Sequence, residues 1–168
     1  MKKLFFILLL LFPLSLQAQN AVNFFLDHAD TQNLTIISLG EKLLKAAANA
    51  AVTTDEDKKI AAILKDINNI SMASGIKRTS HNKNLIKKAI NNAERILLMQ
   101  KDGETVSIYT HGKQNYISEL IIFIESNDNI TLISIAGKLN LSMLRQLADK
   151  SNIEGMKYLK NIPNQKNK

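Results

Sequence analysis

Three histidines, His28, His81 and His111, are the side chains best suited to acid–base chemistry near neutral pH, because the chain has no cysteine. They fall in three different predicted elements. Neither His-x-x-x-His nor Glu-x-x-His spacing occurs, although helical metal sites use such spacings. The few glycines are scattered and form no phosphate-binding loop. Any catalytic hypothesis therefore depends on single histidines, not on a set of residues.

Two of these histidines have neighbours that invite a chemical role. His28 lies between Asp27 and Asp30, which could form a weak metal corner, but a half-exposed helix surface explains the pattern more simply. His111 ends a predicted strand with Tyr109 on the same face and could act as an acid or base, but a solvated sheet edge explains it as well. We therefore assign no catalytic residue, no metal ligand and no cofactor, and expect a protein that is not an enzyme.

The densest charge in the chain is a basic segment, residues 77–88, which contains no acidic residue. Its first part begins a predicted helix that Ser80 can cap, so backbone N–H groups and Arg78 could hold a phosphate, sulfate or carboxylate. A solvated helix face is the alternative interpretation. The candidate surface for an anionic envelope component or a partner protein consists of Lys77, Arg78, His81, Lys83 and Lys87.

Met1–Ala18 has the three-part layout of a secretory signal peptide. Two lysines precede the apolar run Leu4–Phe12, and a small residue precedes the predicted cleavage between Ala18 and Gln19. The run is shorter than the roughly 20 residues that span a bilayer. We expect a mature chain that is periplasmic or secreted, without a lipid anchor because cysteine is absent, and without a transmembrane helix.

The net charge of +7 suggests nucleic acid as a partner, but its distribution does not. Removal of the two leader lysines lowers the net charge to +5. Four of these charges belong to lysines after Gly155, where there is no acidic residue, so the rest of the chain carries only +1. A duplex-binding domain carries its positive charge as a stripe on a folded face. The sequence therefore predicts no nucleic-acid partner. It predicts one domain over 19–160, followed by a disordered basic tail over 161–168.

Hydrophobic periodicity predicts an α+β fold. Short helices are expected after Val22, after the Ser38–Glu41 and Thr53–Glu56 capping signatures, after Ser80 and after Asn140 or Ser142. Strands are expected over Leu34–Leu39, weakly over Ile70–Met72 with an end at Ser74-Gly75, and then as a four-strand meander from Ile96 to Ala136. Asp102-Gly103 is the strongest hairpin signal in the meander. We expect two layers, with a mainly antiparallel sheet and the helices packed on one face.

The chain contains one internal echo. Asn33–Leu43 aligns with Asn129–Leu139 without gaps, and six positions are identical. Each copy is predicted to be a strand that leads into a helix. The shared composition of strand-to-helix junctions explains the match, and an old duplication is the alternative.

The C-terminal half resembles a known family. Its segments are Leu98-Met99, Lys101–Val106, Ile108-Tyr109, Ile117–Leu120 and Leu132–Leu141. In this order and spacing they resemble the domain of unknown function 4252, a family of exported proteins of Gram-negative bacteria. The resemblance is good over 96–159 and weaker over 22–93. It implies a periplasmic or surface α+β domain with no established catalytic residues. The tendency of relatives to be encoded near extracytoplasmic-function sigma factors implies a link to envelope stress.

Together these features predict an exported, non-enzymatic binding or interaction module of the periplasm. A polar, open sheet face around Thr105, Ser107 and Tyr109 and the basic segment are its candidate surfaces. Two alternatives stay open: a small periplasmic hydrolase or isomerase that uses His111, and a structural envelope protein.

Overall fold

A single antiparallel sheet organises the computed structural model, which describes residues 20–50, 53–113, 116–150 and 158. In order across the sheet, its six strands are β1, β2, β6, β5, β4 and β3. The bounds are β1 Thr35–Gly40, β2 Ile67–Lys77, β3 Glu94–Lys101, β4 Glu104–Lys113, β5 Tyr116–Glu125 and β6 Asn129–Leu139. The predicted α+β class, the antiparallel sheet and the C-terminal meander are confirmed.

Helices cover both faces of the sheet, so the predicted packing on one face is wrong. They are α1 Ala21–His28, α2 Glu41–Asn49, α3 Asp55–Asp66, α4 Ser80–Ala89 and α5 Leu141–Lys150. One core lies under α1 and α4, and a second lies under α2, α3 and α5. Neighbouring strand residues such as Leu132 and Ile133 point into different cores, and both are fully buried. A central strand that is apolar on both faces needs a layer on each side.

The starts of α3 and α4 lie close to the predicted positions, but these helices use different caps. The capping box that begins α3 joins Thr54 and Asp57, not Thr53 and Glu56. Hydrogen bonds from the Thr54 side chain, and then from other groups of Thr53 and Thr54, lower the pKa of Asp57 to about 2. Thr79, not Ser80, caps α4.

The helices that follow β1 and β6, α2 and α5, have different caps. The N-cap of α2 is Gly40, which makes no side-chain hydrogen bond, so the predicted Ser38 cap is wrong. Asn140, one of the two predicted caps of α5, accepts a hydrogen bond of 2.9 Å from the backbone N of Met143.

Residues with positive φ form the turn between β3 and β4 and an irregularity within β2. Asp102 and Gly103 have φ values of 53° and 80°, which is the positive pair that a type I′ hairpin needs. The predicted hairpin is therefore confirmed. Gly75 has φ of 78° and lies in a register shift between Ala73 and Ile76, so β2 continues past the predicted stop to Lys77.

The two echo segments lie on either side of the same strand. Both β1 and β6 pair antiparallel with β2, so they run parallel to each other. Ser38 and Ser134, equivalent in the echo, both pair with Ser71. The echo ends differently from the prediction: the first copy turns into α2 at Glu41, whereas the second stays extended through Leu139.

Several predictions concern residues outside the described ranges: the signal peptide 1–18, the cleavage pair Ala18 and Gln19, and the tail 161–168. Among the helices that the structure does describe, none is both long enough and apolar enough to cross a membrane.

Candidate functional site

A buried carboxylate lies at the middle of the sheet. Glu119 of β5 is 7% exposed, and the apolar residues 120–124 follow it directly in the sequence. Its Oε1 accepts hydrogen bonds from the backbone N of Ala21 at 2.7 Å and from Ser134 Oγ at 2.6 Å. Because the first turn of a helix favours negative charge, Glu119 fastens the start of α1 to the sheet.

His111 is held by the same carboxylate. Its Nδ1 lies 3.0 Å from Glu119 Oε2, and its Nε2 lies 3.0 Å from the backbone O of Asn91. Both partners accept hydrogen bonds, so the arrangement engages both ring nitrogens. Ser134 lies on the far side of the carboxylate. In a Ser-His-acid triad the histidine stands between the other two, so this geometry joins helix to sheet and activates no hydroxyl.

Polar contacts continue from this centre toward β1. Asn20 caps α1 by accepting from the backbone N of Asn23, and its Nδ2 donates to Asn69 Oδ1 at 2.9 Å. Ser71 Oγ donates to the same Asn69 oxygen at 2.7 Å. Sequence reasoning missed this polar network, because asparagine and serine in short strands look like ordinary alternation. A buried polar group needs partners, and here these groups supply them to each other.

The basic segment is partly neutralised by an acid from another part of the chain. Glu125 Oε1, at the end of β5, lies 2.7 Å from Arg78 Nε and 2.6 Å from Lys83 Nζ. Burial raises the pKa of Glu125, but the hydrogen bonds and charges of Lys83 and Arg78 outweigh it, and together they hold that pKa below its usual range. Lys77, His81 and Lys87 are exposed.

This pairing changes what the predicted basic surface can do. The structure brings Arg78 and Lys83 together, but around Glu125, so an incoming anion would have to compete with a carboxylate already in place. No local pattern indicates these two ion pairs, because Glu125 is distant in the chain and reaches the basic segment only through the fold.

The other candidate surfaces also look different in three dimensions. The ring of His28 stacks on Phe24 with centroids 4.5 Å apart, and His28 Nδ1 lies 2.8 Å from the backbone O of Phe24. Among the described residues, no three acids or histidines lie together in a way that could hold a metal ion. The predicted open polar face was wrong: Ser107 is buried, and Tyr109 packs against the core under α1 and α4. This face of the sheet is covered by α1 and α4.

A small cleft lies beside the β3–β4 hairpin. Its volume is about 170 Å³, whereas ligand pockets usually enclose about 300–1,000 Å³. Tyr158 closes one side by donating a hydrogen bond to Glu104. The cleft is lined by Met99, Lys101, Asp102, Glu104, Val106 and Tyr158. Its volume therefore lies below the range usual for small-molecule sites.

Two neighbouring exposed apolar side chains lie on β1, an edge of the sheet. Ile36 and Ile37 are 45% and 44% exposed and point to opposite faces. The strand carries no charge and no proline. An edge strand presents unpaired backbone N–H and C=O groups, and natural proteins usually protect such edges with charges, bulges or proline. β1 has none of these devices.

Comparison with known proteins identifies the family of this chain. The family model described as a domain of unknown function, DUF4252, matches residues 27–147. The match covers every strand, and therefore β1 and the strand residues of the polar network around Glu119, but not Asn20 and Ala21. Searches of curated proteins and of solved structures returned no match.

Proposed function

This chain belongs to the DUF4252 family, and on that premise we propose that it is an exported interaction module of the bacterial envelope that binds another polypeptide along β1. The predicted cleavage between Ala18 and Gln19 would keep every described residue in the mature chain. A role in envelope stress signalling, as the family resemblance implies, fits a module that acts by binding.

The open edge β1 carries this proposal. Binding by strand addition uses backbone hydrogen bonds for affinity and side chains on alternate positions for specificity. β1 offers both, because its outer backbone faces no strand among the described residues and Ile36 and Ile37 present apolar side chains on the two faces. A polypeptide is therefore a better partner for this surface than an anionic lipid or sugar.

An enzymatic role has less support. Both ring nitrogens of His111 contact other protein groups: Nδ1 contacts the Glu119 carboxylate and Nε2 contacts the backbone O of Asn91. A general acid or base must reach the reacting group within hydrogen-bond distance. The serine nearest to this pair, Ser134, is fully buried and donates to the carboxylate. These contacts account for His111 and Glu119 as parts of the architecture.

Export is tested by fractionating cells that produce the full chain with a C-terminal tag. We expect the protein in the periplasm or medium, with Gln19 as its first residue or its cyclised form, as measured by mass spectrometry of the intact chain. Full-length protein in the cytosol with the leader intact would overturn the export half of the proposal.

Binding is tested in living cells with a photo-crosslinking amino acid placed at Ile36 or, as the matched control, at Leu98. Leu98 is 49% exposed on the opposite edge strand, β3. We expect a discrete protein adduct from position 36 and none from position 98. Equal labelling at the two positions, or no adduct at position 36, would overturn the proposed edge.

A further inference from the structure

We propose that the partner of β1 is β1 of a second copy of this chain, paired antiparallel about a two-fold axis. The two six-stranded sheets would then form one continuous sheet of twelve strands. This inference rests on the proposed function, since it names the partner of the same edge.

The first argument is the symmetry of β1 itself. A two-fold contact uses the same surface on both copies, so that surface must complement itself. Thr35–Gly40 is uncharged, so self-pairing brings no like charges together. Its exposed isoleucines are divided between the two faces, so antiparallel pairing would cover apolar side chains on both sides of the sheet at once.

The second argument comes from the echo segment. β6 repeats the β1 pattern and has an antiparallel apolar neighbour on each side, β2 and β5. β1 has β2 on one side only. When the two echo segments are superposed, the open side of β1 corresponds to the side of β6 that pairs with β2. That side fits an antiparallel apolar strand, and a second β1 is such a strand.

The third argument is the charge on either side of β1. Asp30 lies in the segment before it, and α2 after it contains Lys42, while Lys45 and Glu41 of α2 form an ion pair with each other. Antiparallel pairing brings the acidic approach of one copy to the end where the more basic helix begins in the other. The two ends of the β1–β1 interface are then complementary in charge.

In the proposed dimer, an exposed leucine of α2 lies near the contact between the two β1 strands. The two-fold axis of an antiparallel strand pair is perpendicular to the sheet, so the same helical layer lies on the same side in both copies. α2 packs on the face of Leu44 and Ile63. Leu43 of α2 is 57% exposed, so the α2 helices flanking the joint could cover part of this leucine.

The other edge provides a control within the same molecule. β3 carries Glu94, Arg95 and Lys101, and its pairing with β4 is interrupted between Arg95 and Leu97. Charges and bulges of this kind prevent edge-to-edge pairing. Ile36 and Leu98 lie at opposite ends of one row of paired residues that crosses the sheet, and their exposures are similar.

The first test measures the mass of the mature chain, Gln19–Lys168, by sedimentation over a range of concentrations. We expect a dimer whose dissociation constant rises at least about tenfold in Ile36→Lys, because two lysines would meet across the joint. Leu98→Lys should leave it unchanged. A wild-type monomer at all concentrations, or equal weakening by both variants, would overturn self-pairing.

A second test does not depend on how well the lysine variant folds. Because the chain has no cysteine, a single substitution introduces the sole thiol. We expect disulfide-linked dimers from one or two adjacent positions among Ile36→Cys, Ile37→Cys and Ser38→Cys, since a disulfide needs Cβ atoms about 3.5–4.5 Å apart. Leu98→Cys should stay monomeric. Cross-linking no stronger at β1 than at Leu98 would overturn the proposal.

Failure here is distinguishable from failure of the proposed function. A monomer that forms no β1 disulfide, yet yields an adduct with a different protein from position 36 in cells, overturns self-pairing and leaves the interaction module intact. A monomer with no adduct from position 36 overturns both.

Discussion

β1 and β6 are the same sequence pattern in two different positions of the sheet. Equivalent residues pair with the same residues of β2: Ile37 and Ile133 both pair with Met72. Yet Ile133 is fully buried, whereas Ile37 is 44% exposed. Position in the sheet, and not the local pattern, decides how much apolar surface each strand hides.

The difference also separates stability from interaction. β6 lies between β2 and β5 and contributes to both cores, so its side chains hold the fold together. β1 is one of the two edge strands and contributes little to either core, so its side chains are exposed at the edge of the sheet. The following predictions test this separation.

The largest expected difference concerns the isoleucine pair. Ile133→Ala should lower the free energy of unfolding by about 2–5 kcal/mol, since it leaves a cavity at a fully buried site. Ile37→Ala should cost less than about 1 kcal/mol, because the site is already open to solvent. Urea denaturation at a concentration where the protein is monomeric measures both. Equal costs would mean that β1 is as integral to the fold as β6.

A smaller difference is expected for the equivalent serines. Ser134 donates a 2.6 Å hydrogen bond to buried Glu119, and bonds to charged groups contribute about 1.5–3 kcal/mol. Ser134→Ala should therefore lower the unfolding free energy by about that amount. Ser38 accepts a long contact of 3.4 Å from Asn69 Nδ2 at the exposed edge, so Ser38→Ala should change stability by less than about 0.5 kcal/mol. A reversed order would contradict the assignment of Glu119 as the polar centre of the fold.

The features that could be predicted from the sequence are those set by neighbouring residues, such as turns and the alternation of strands. The Asp102-Gly103 turn and the meander follow from backbone preferences and alternation, and the structure confirms them. A strand that is apolar on both faces indicates a layer on each side, but local patterns do not show which helices pack on which face, and the prediction placed them all on one. The salt bridges of Glu125 with Arg78 and Lys83 were missed for a related reason, since their partners meet only through the tertiary fold.

The smallest expected effect concerns the helices that follow the two strands. Asn140 caps α5, so Asn140→Ala should cost about 1 kcal/mol. Gly40 caps α2 with no side chain, although its φ of −82° suits any residue and a Cβ there would meet nothing within 4 Å. Gly40→Ser should therefore raise the unfolding free energy by a few tenths of a kcal/mol by adding a hydroxyl acceptor at the helix start.

The control for that gain is Gly40→Ala, which restricts the unfolded chain in the same way but adds no acceptor. Serine should exceed alanine at position 40 by about 0.5 kcal/mol or more in urea denaturation, because the difference isolates the cap. If alanine stabilises as much as serine, the weakness at the start of α2 is backbone freedom and not a missing hydrogen bond. The contrast between the two strand-to-helix units would then lie in their strands alone.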